Sequence, residues 1–157
     1  MKTVYSIPEA LPLSLPAGKH DARRQQVAGL RLEDADLLAF NGKLQAVDAG
    51  APAVHADQVA SLARGLQSIP ADRAEATIAL RMARADALAR MLDDRDWQVP
   101  DATARRGRHL IAALRGGENL IPDAMPLFGH LDEALMVELC WKEFEAEVGD
   151  YIDFCRF

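Results

Sequence analysis

Long apolar runs are missing from this sequence. Arg or Asp interrupts every candidate before it reaches the ~20 residues that a membrane-spanning helix needs. Cysteine is scarce too. Cys140 and Cys155 are the only two, and along one helix their spacing holds them roughly 20 Å apart, beyond the reach of a disulfide. Both are therefore expected as reduced thiols of a cytoplasmic protein. No run of β-branched residues alternates with polar ones, which argues against a sheet protein. The sequence holds no phosphate-cradling glycine loop, no Cys-x-x-Cys, no His-Glu-x-x-His and no Gly-x-Ser-x-Gly elbow, so the ordinary enzyme templates have nothing to attach to. At the start of the chain, Pro8, Glu9, Pro12 and Pro16 break up what would otherwise read as an exported leader, and they predict an extended arm instead.

What is present suits a single helical domain. The 157 residues can bury a core without metal or disulfide support. Half of them are hydrophobic, many of those alanine, and the mean hydropathy is −0.09, the balance of closely packed helices with a charged exterior. The net charge of −6 is uneven. Residues 118–157 hold ten acids against Lys142 and Arg156, whereas the preceding part holds sixteen bases against fourteen acids. A polyanion is repelled by that C-terminal end, so the reading includes no nucleic-acid partner.

Read for periodicity, the chain divides into an arm over 1–18 and a helical domain over 19–157. The expected fold is all-α, a compact bundle of about five to six helices. Helices are expected at Asp21–Leu30 and Leu32–Val47, separated near Gly29, and at His55–Gln67, stopped by Ser68-Ile69-Pro70. The strongest pattern follows Pro70, where Ile78, Met82, Ala85, Ala89 and Leu92 share one face. A further helix is capped by Asp101 or Thr103, turns Leu110, Ile111 and Leu114 inward and ends at Gly116-Gly117. One long final helix is expected after Gly129, buried all round at first and one-sided later, with Cys140, Phe144, Val148 and Tyr151 aligned.

The segment Leu120-Ile-Pro-Asp-Ala-Met-Pro-Leu-Phe-Gly-His-Leu-Asp-Glu133 resembles the signature of the YkvA-like family, roughly D-L-I-P-D-x-I-P-x-x-G-x-x-D-D. Ile121, Pro122, Asp123, Pro126, Gly129 and Asp132 match in register. Residues Gly117-Glu118-Asn119 replace the usual lead-in, and Glu133 stands where the family has a second Asp. The resemblance covers about residues 85–145. It implies a helical fold and leaves the chemistry open, since the family has no established activity.

Three surfaces are candidates for function. Asp123, His130, Asp132 and Glu133 form the densest set of metal-capable side chains, suited to a divalent ion in a metal-binding module or a metal-dependent enzyme. The structural alternative is that these acids cap helix starts, where the dipole favours negative charge, so that no cofactor is involved. Arg105, Arg106, Arg108, His109 and Arg115 form a basic group that either meets a membrane surface or is a solvated face paired with the acidic C-terminal end. Cys140 lies on the apolar face with Phe144 and reads as a core thiol rather than a nucleophile. Finally, six of the nine aromatics, Phe128, Trp141, Phe144, Tyr151, Phe154 and Phe157, fall in the last thirty residues. The leading expectation is a non-catalytic protein-binding or regulatory module that meets a protein partner, or a second copy, through Trp141, Phe144, Tyr151, Phe154 and Phe157.

Overall fold

A computed structural model describes residues 11–16, 26–116, 120–122 and 128–156. Among these, six α-helices surround one continuous apolar core, and a two-residue hairpin is the only sheet. The fold is all-α. No helix among the described residues is long and apolar enough to cross a membrane.

Over 26–30, the described part of the first expected helix, the chain forms a hairpin instead, and residues 21–25 lie outside the described residues. Strands β1 (Gln26–Val27) and β2 (Leu30–Arg31) pair antiparallel. Ala28 and Gly29 both have positive φ, 50° and 86°, the combination that two-residue hairpin turns with the twist of the strands require. Gly29 adopts this freely, whereas Ala28 bears the steric cost of a Cβ in the left-handed region. Burial of Val27 and Leu32 on either side of the turn offsets that cost.

Helix α1 (Asp34–Val47) buries Leu37, Phe40, Leu44 and Val47, a stripe at helical spacing, and carries Asp34 and Asp36 in its first turn. The chain then leaves through Asp48, whose carboxylate accepts from Gly50 N. Asn41 clamps the returning loop back onto α1. Its amide nitrogen donates to Val54 O at 2.9 Å, and its oxygen accepts from Val54 N at 2.7 Å. Helix α2 (Ala56–Gln67) opens with Gln58 Oε1 accepting from His55 N and packs Val59, Ala63 and Leu66 inward. The described part of the arm is anchored to α2 and its successor. Gln58 Nε2 donates to Pro16 O, Leu11 N donates to Thr77 Oγ1, and Leu13 between them is buried.

Helix α3 (Ala71–Asp93) is the longest, at 23 residues, and helices pack on it from several sides. Its deepest stripe differs from the expected one. Ile78 and Ala85 are buried as foreseen, but Arg81, Leu88 and Met91 lie deeper than Met82, Ala89 and Leu92. The charge on Arg81 hid its position, because an amphipathic reading assigns arginine to solvent. Helix α4 (Asp101–Arg115) lies against α1 and α3. Gly107 permits the close approach, since a Cβ there would meet Leu92 Cδ1 at 3.0 Å. Leu110 is fully buried, and Ile111 and Leu114 are half-buried.

The expected single final helix is two helices. Helix α5 (Leu131–Cys140) is buried on nearly every side, through Leu131, Asp132, Ala134, Leu135, Met136, Val137 and Cys140. A 3₁₀ turn over Trp141–Glu143 then leads into α6 (Glu145–Cys155), whose buried residues are Val148 and Tyr151. In a 3₁₀ turn residues three apart eclipse, which brings Trp141 and Phe144 to the same side, with ring centroids 6.3 Å apart. Both are thereby buried, and α6 is redirected against α3.

Candidate functional site

The described ends of the Leu120–Glu133 segment, residues 120–122 and 128–133, meet in a corner at the first turn of α5. Asp132 is only 3 % exposed, and its carboxylate is engaged with the backbone. Oδ2 accepts from Leu120 N at 2.9 Å and from Ile121 N at 3.1 Å, while Oδ1 accepts from Glu133 N at 3.0 Å. One carboxylate thus satisfies two buried amides of the incoming chain and one N–H of the helix start, and it also complements the dipole of α5. Leu120, Ile121, Phe128 and Leu131 are buried around it. His130 Nδ1 lies 3.0 Å from Glu133 Oε1 in an ion pair when the ring is charged.

Of the four candidate metal ligands, only the His130 and Glu133 side chains are shown in contact, and the Asp132 carboxylate is committed to backbone amides. Asp123 lies outside the described residues, as does Pro126. Among the described residues no group of three His, Cys, Asp or Glu side chains is arranged to hold a metal. The crevice beside the corner, lined by residues including Asp36, Lys43, Leu120 and Glu133, has a volume of about 20 Å³, room for about one water.

The C-terminal aromatics separate into two groups. Trp141, Phe144 and Tyr151, expected as partner-binding anchors, are instead core residues, 8 %, 0 % and 7 % exposed. The turn between α5 and α6 rotates them inward. Phe157 lies outside the described residues. Phe154 alone remains, at 42 % exposure, with its ring centroid 5.1 Å from that of Trp97 in the loop between α3 and α4. Tyr151 completes the cluster, 5.7 Å from Trp97 in an edge arrangement.

Acids hold this cluster in place. Trp97 Nε1 donates to Glu147 Oε2 at 2.9 Å, and the Tyr151 hydroxyl donates to Asp94 Oδ2 at 2.8 Å. Asp94 Oδ1 also accepts from Asp96 N, and this backbone bond, with the Tyr151 hydroxyl second, holds its carboxyl below the usual carboxylate value. Tyr151 is pushed the other way, chiefly because losing its proton would forfeit the bond to Asp94. Asp150, four residues before Phe154, shares its face of α6 and is exposed. The composite face is an aromatic edge rimmed by carboxylates. Trp97, Asp94 and Glu147 escaped the sequence reading because the loop that carries two of them is distant in the chain from α6.

Ion pairing accounts for part of the basic population. Arg81 Nε donates to Glu138 Oε1 at 2.8 Å, and Arg81 Nη1 donates to Thr77 O at 3.0 Å. Arg84 lies 3.5 Å from the same Glu138 oxygen and stacks over the Trp141 ring, 5.6 Å from its centroid. Arg106 pairs with Glu143 at 3.0 Å, linking α4 to the turn before α6, as the pairing of basic and acidic segments anticipated. Cys140 is buried, and burial foremost, with the nearby charges of Asp48 and Glu143, pushes its thiol up to about 12. Such a thiol is a poor nucleophile and a good core residue. Against this geometry, the chain matches no family model, no curated protein and no solved structure.

Proposed function

We propose that this protein is a non-catalytic cytoplasmic binding module whose α6 face grips a basic segment of a partner protein. The observation that carries the reading is Phe154, a large aromatic left exposed beside Trp97, with Glu147 and Asp94 bonded to its ring neighbours Trp97 and Tyr151 and Asp150 one turn before it on α6. Aromatic anchors supply most of the energy at protein interfaces, and carboxylates around them select cationic partners and speed encounter. Trp97 and Tyr151 are already fixed by hydrogen bonds, so little side-chain freedom is lost on binding. On the same footing we infer kinship with the YkvA-like family over residues 85–145. Support comes from the role of Asp132, which gives the signature's acid a purpose in closing the turn at Leu120 and Ile121.

Titration with a synthetic amphipathic peptide of lysine and leucine, followed by tryptophan fluorescence, tests the reading. The wild type is expected to bind, with affinity falling as salt rises, and Phe154→Ser to weaken binding about tenfold or more, the effect of truncating an aromatic anchor. Sedimentation of the protein alone separates self-association from partner binding. Binding that is absent, or equal in wild type and Phe154→Ser, overturns the proposal.

A further inference from the structure

Arg105, Arg108, Ala112 and Arg115 recur at intervals of three and four along α4, which places them in one stripe about 15 Å long, with His109 beside it. All four charged or ionisable members are exposed. Unlike Arg81, Arg84 and Arg106, none of these three arginines makes an ion pair or hydrogen bond with a described residue. In a chain of net charge −6 with ten acids in its last forty residues, three guanidinium groups on one stripe without a partner among the described residues call for a reason.

The stripe also lines two adjoining concavities. One, of about 390 Å³, is bounded by Asp101, Arg105, Arg108 and His109. The other, of about 420 Å³, has Arg108, Arg115 and Asp93 at its edge and Ala89, Leu92, Ile111 and Ala112 as an apolar floor. Arg108 belongs to both. Each is within the size range of small-ligand sites, and the two differ in character, one lined only by charged or ionisable side chains and the other with an apolar floor between charged edges. Forked guanidinium groups match phosphate oxygens in geometry and charge, and the two acids at the rim are outnumbered.

From this arrangement we propose that the α4 groove binds a phosphomonoester with an apolar tail, its phosphate held by Arg105, Arg108 and His109 and its tail lying over Leu92 and Ile111. The same chemistry is offered by a soluble phosphate ester and by the headgroup of an anionic lipid.

Calorimetry with inorganic phosphate, hexyl phosphate and hexanol, joined to co-sedimentation with phosphatidylcholine vesicles containing phosphatidic acid, tests the site and distinguishes the two sources. Hexyl phosphate is expected to bind roughly tenfold more tightly than inorganic phosphate, the gain from burying about two methylenes, and hexanol not to bind. Arg108→Gln is expected to weaken hexyl phosphate about tenfold or more, as loss of a charge-assisted bond does, while Arg95→Gln, outside the groove, leaves it unchanged. Vesicle pelleting that Arg108→Gln abolishes supports the site with a lipid as its source. Hexyl phosphate binding without pelleting supports it with a soluble ester. Equal affinity for hexyl phosphate and inorganic phosphate, equal loss in Arg95→Gln and Arg108→Gln, or no binding in either assay overturns it.

Discussion

Removing the Asp132 carboxylate is the sharpest perturbation of the corner before α5. In Asp132→Ala, Leu120 N and Ile121 N are left in a buried setting without the oxygen they share, and Glu133 N loses its partner at the helix start. An unsatisfied buried donor costs about 1–3 kcal/mol, so the two buried amides together cost about 2–6 kcal/mol, with about 4 kcal/mol the central expectation. A domain of this size has a total stability of roughly 5–15 kcal/mol, which leaves Asp132→Ala folded but much closer to its midpoint under ordinary conditions. Asp132→Asn keeps one carbonyl oxygen, which can serve Leu120 N and Ile121 N, but it turns an NH₂ toward Glu133 N and loses the charge. Its expected cost is about 2 kcal/mol. Urea unfolding followed by far-UV circular dichroism measures both variants, with the wild type also run in EDTA and in Mg²⁺, Mn²⁺ or Zn²⁺. A loss below about 1 kcal/mol for Asp132→Ala would refute the clamp, being the size of an ordinary substitution. So would stabilisation of the wild type by an ion, about 2.7 kcal/mol at a hundredfold excess over Kd, that disappears in Asp132→Asn, because the carboxylate would then be a ligand.

Ala28→Asn is expected to stabilise the protein by about 0.5–1 kcal/mol, measured by thermal melting, since asparagine tolerates the left-handed conformation that Ala28 adopts at φ 50°. Glu138→Ala is expected to cost about 2–3 kcal/mol in denaturant unfolding, less than a fully buried pair because the Glu138 side chain is 29 % exposed, while Arg84→Gln costs under about 1 kcal/mol. Thiol labelling of the native protein is expected to modify Cys155 at once and Cys140 only on unfolding; early labelling at both positions would contradict the burial of Cys140. Stability is expected to fall as pH rises from about 9 toward about 12, because the unfolded chain releases the Cys140 proton near its ordinary value of 9.0 while the fold retains it. Cys140→Ala should flatten that slope. Tyr151 contributes in the same direction, and Asp94, whose folded value is lowered, acts at the acid end, where its contribution is lost as pH falls through that value.

Most helices were legible because their apolar spacing is regular and their ends carry proline, glycine or acids. Leu37, Phe40, Leu44 and Val47 mark α1, and Pro70 and Pro100 immediately precede α3 and α4. Three features were hidden by tertiary context. The hairpin at Gln26–Arg31 rests on an alanine at a position usually held by Asn, Asp or Gly, so only Gly29 signalled it. Arg81 reads as surface until Glu138, 57 residues away in sequence, is known to meet it. The bend at Trp141–Glu143 carries neither proline nor glycine, and its cause is the joint burial of Trp141 and Phe144. That bend also reverses the reading of three aromatics expected at an interface. The acids at the start of α5 were recognised as helix-start residues, but the second duty of Asp132, closing the chain at Leu120, depends on a contact twelve positions away.

The way α6 is fastened determines how it moves. It contributes only Val148 and Tyr151 to the core, and its ties to Trp97 and Asp94 are hydrogen bonds at the surface rather than deep apolar contacts. Helices held in this manner open as separate cooperative units at a fraction of the global free energy. Amide hydrogens of Glu145–Cys155 are therefore expected to exchange through a local opening, and those of α5, enclosed on nearly every side, only when the whole molecule unfolds. The Phe154 face is carried on a lightly anchored helix, and an occupant on it would register as slowed exchange along α6.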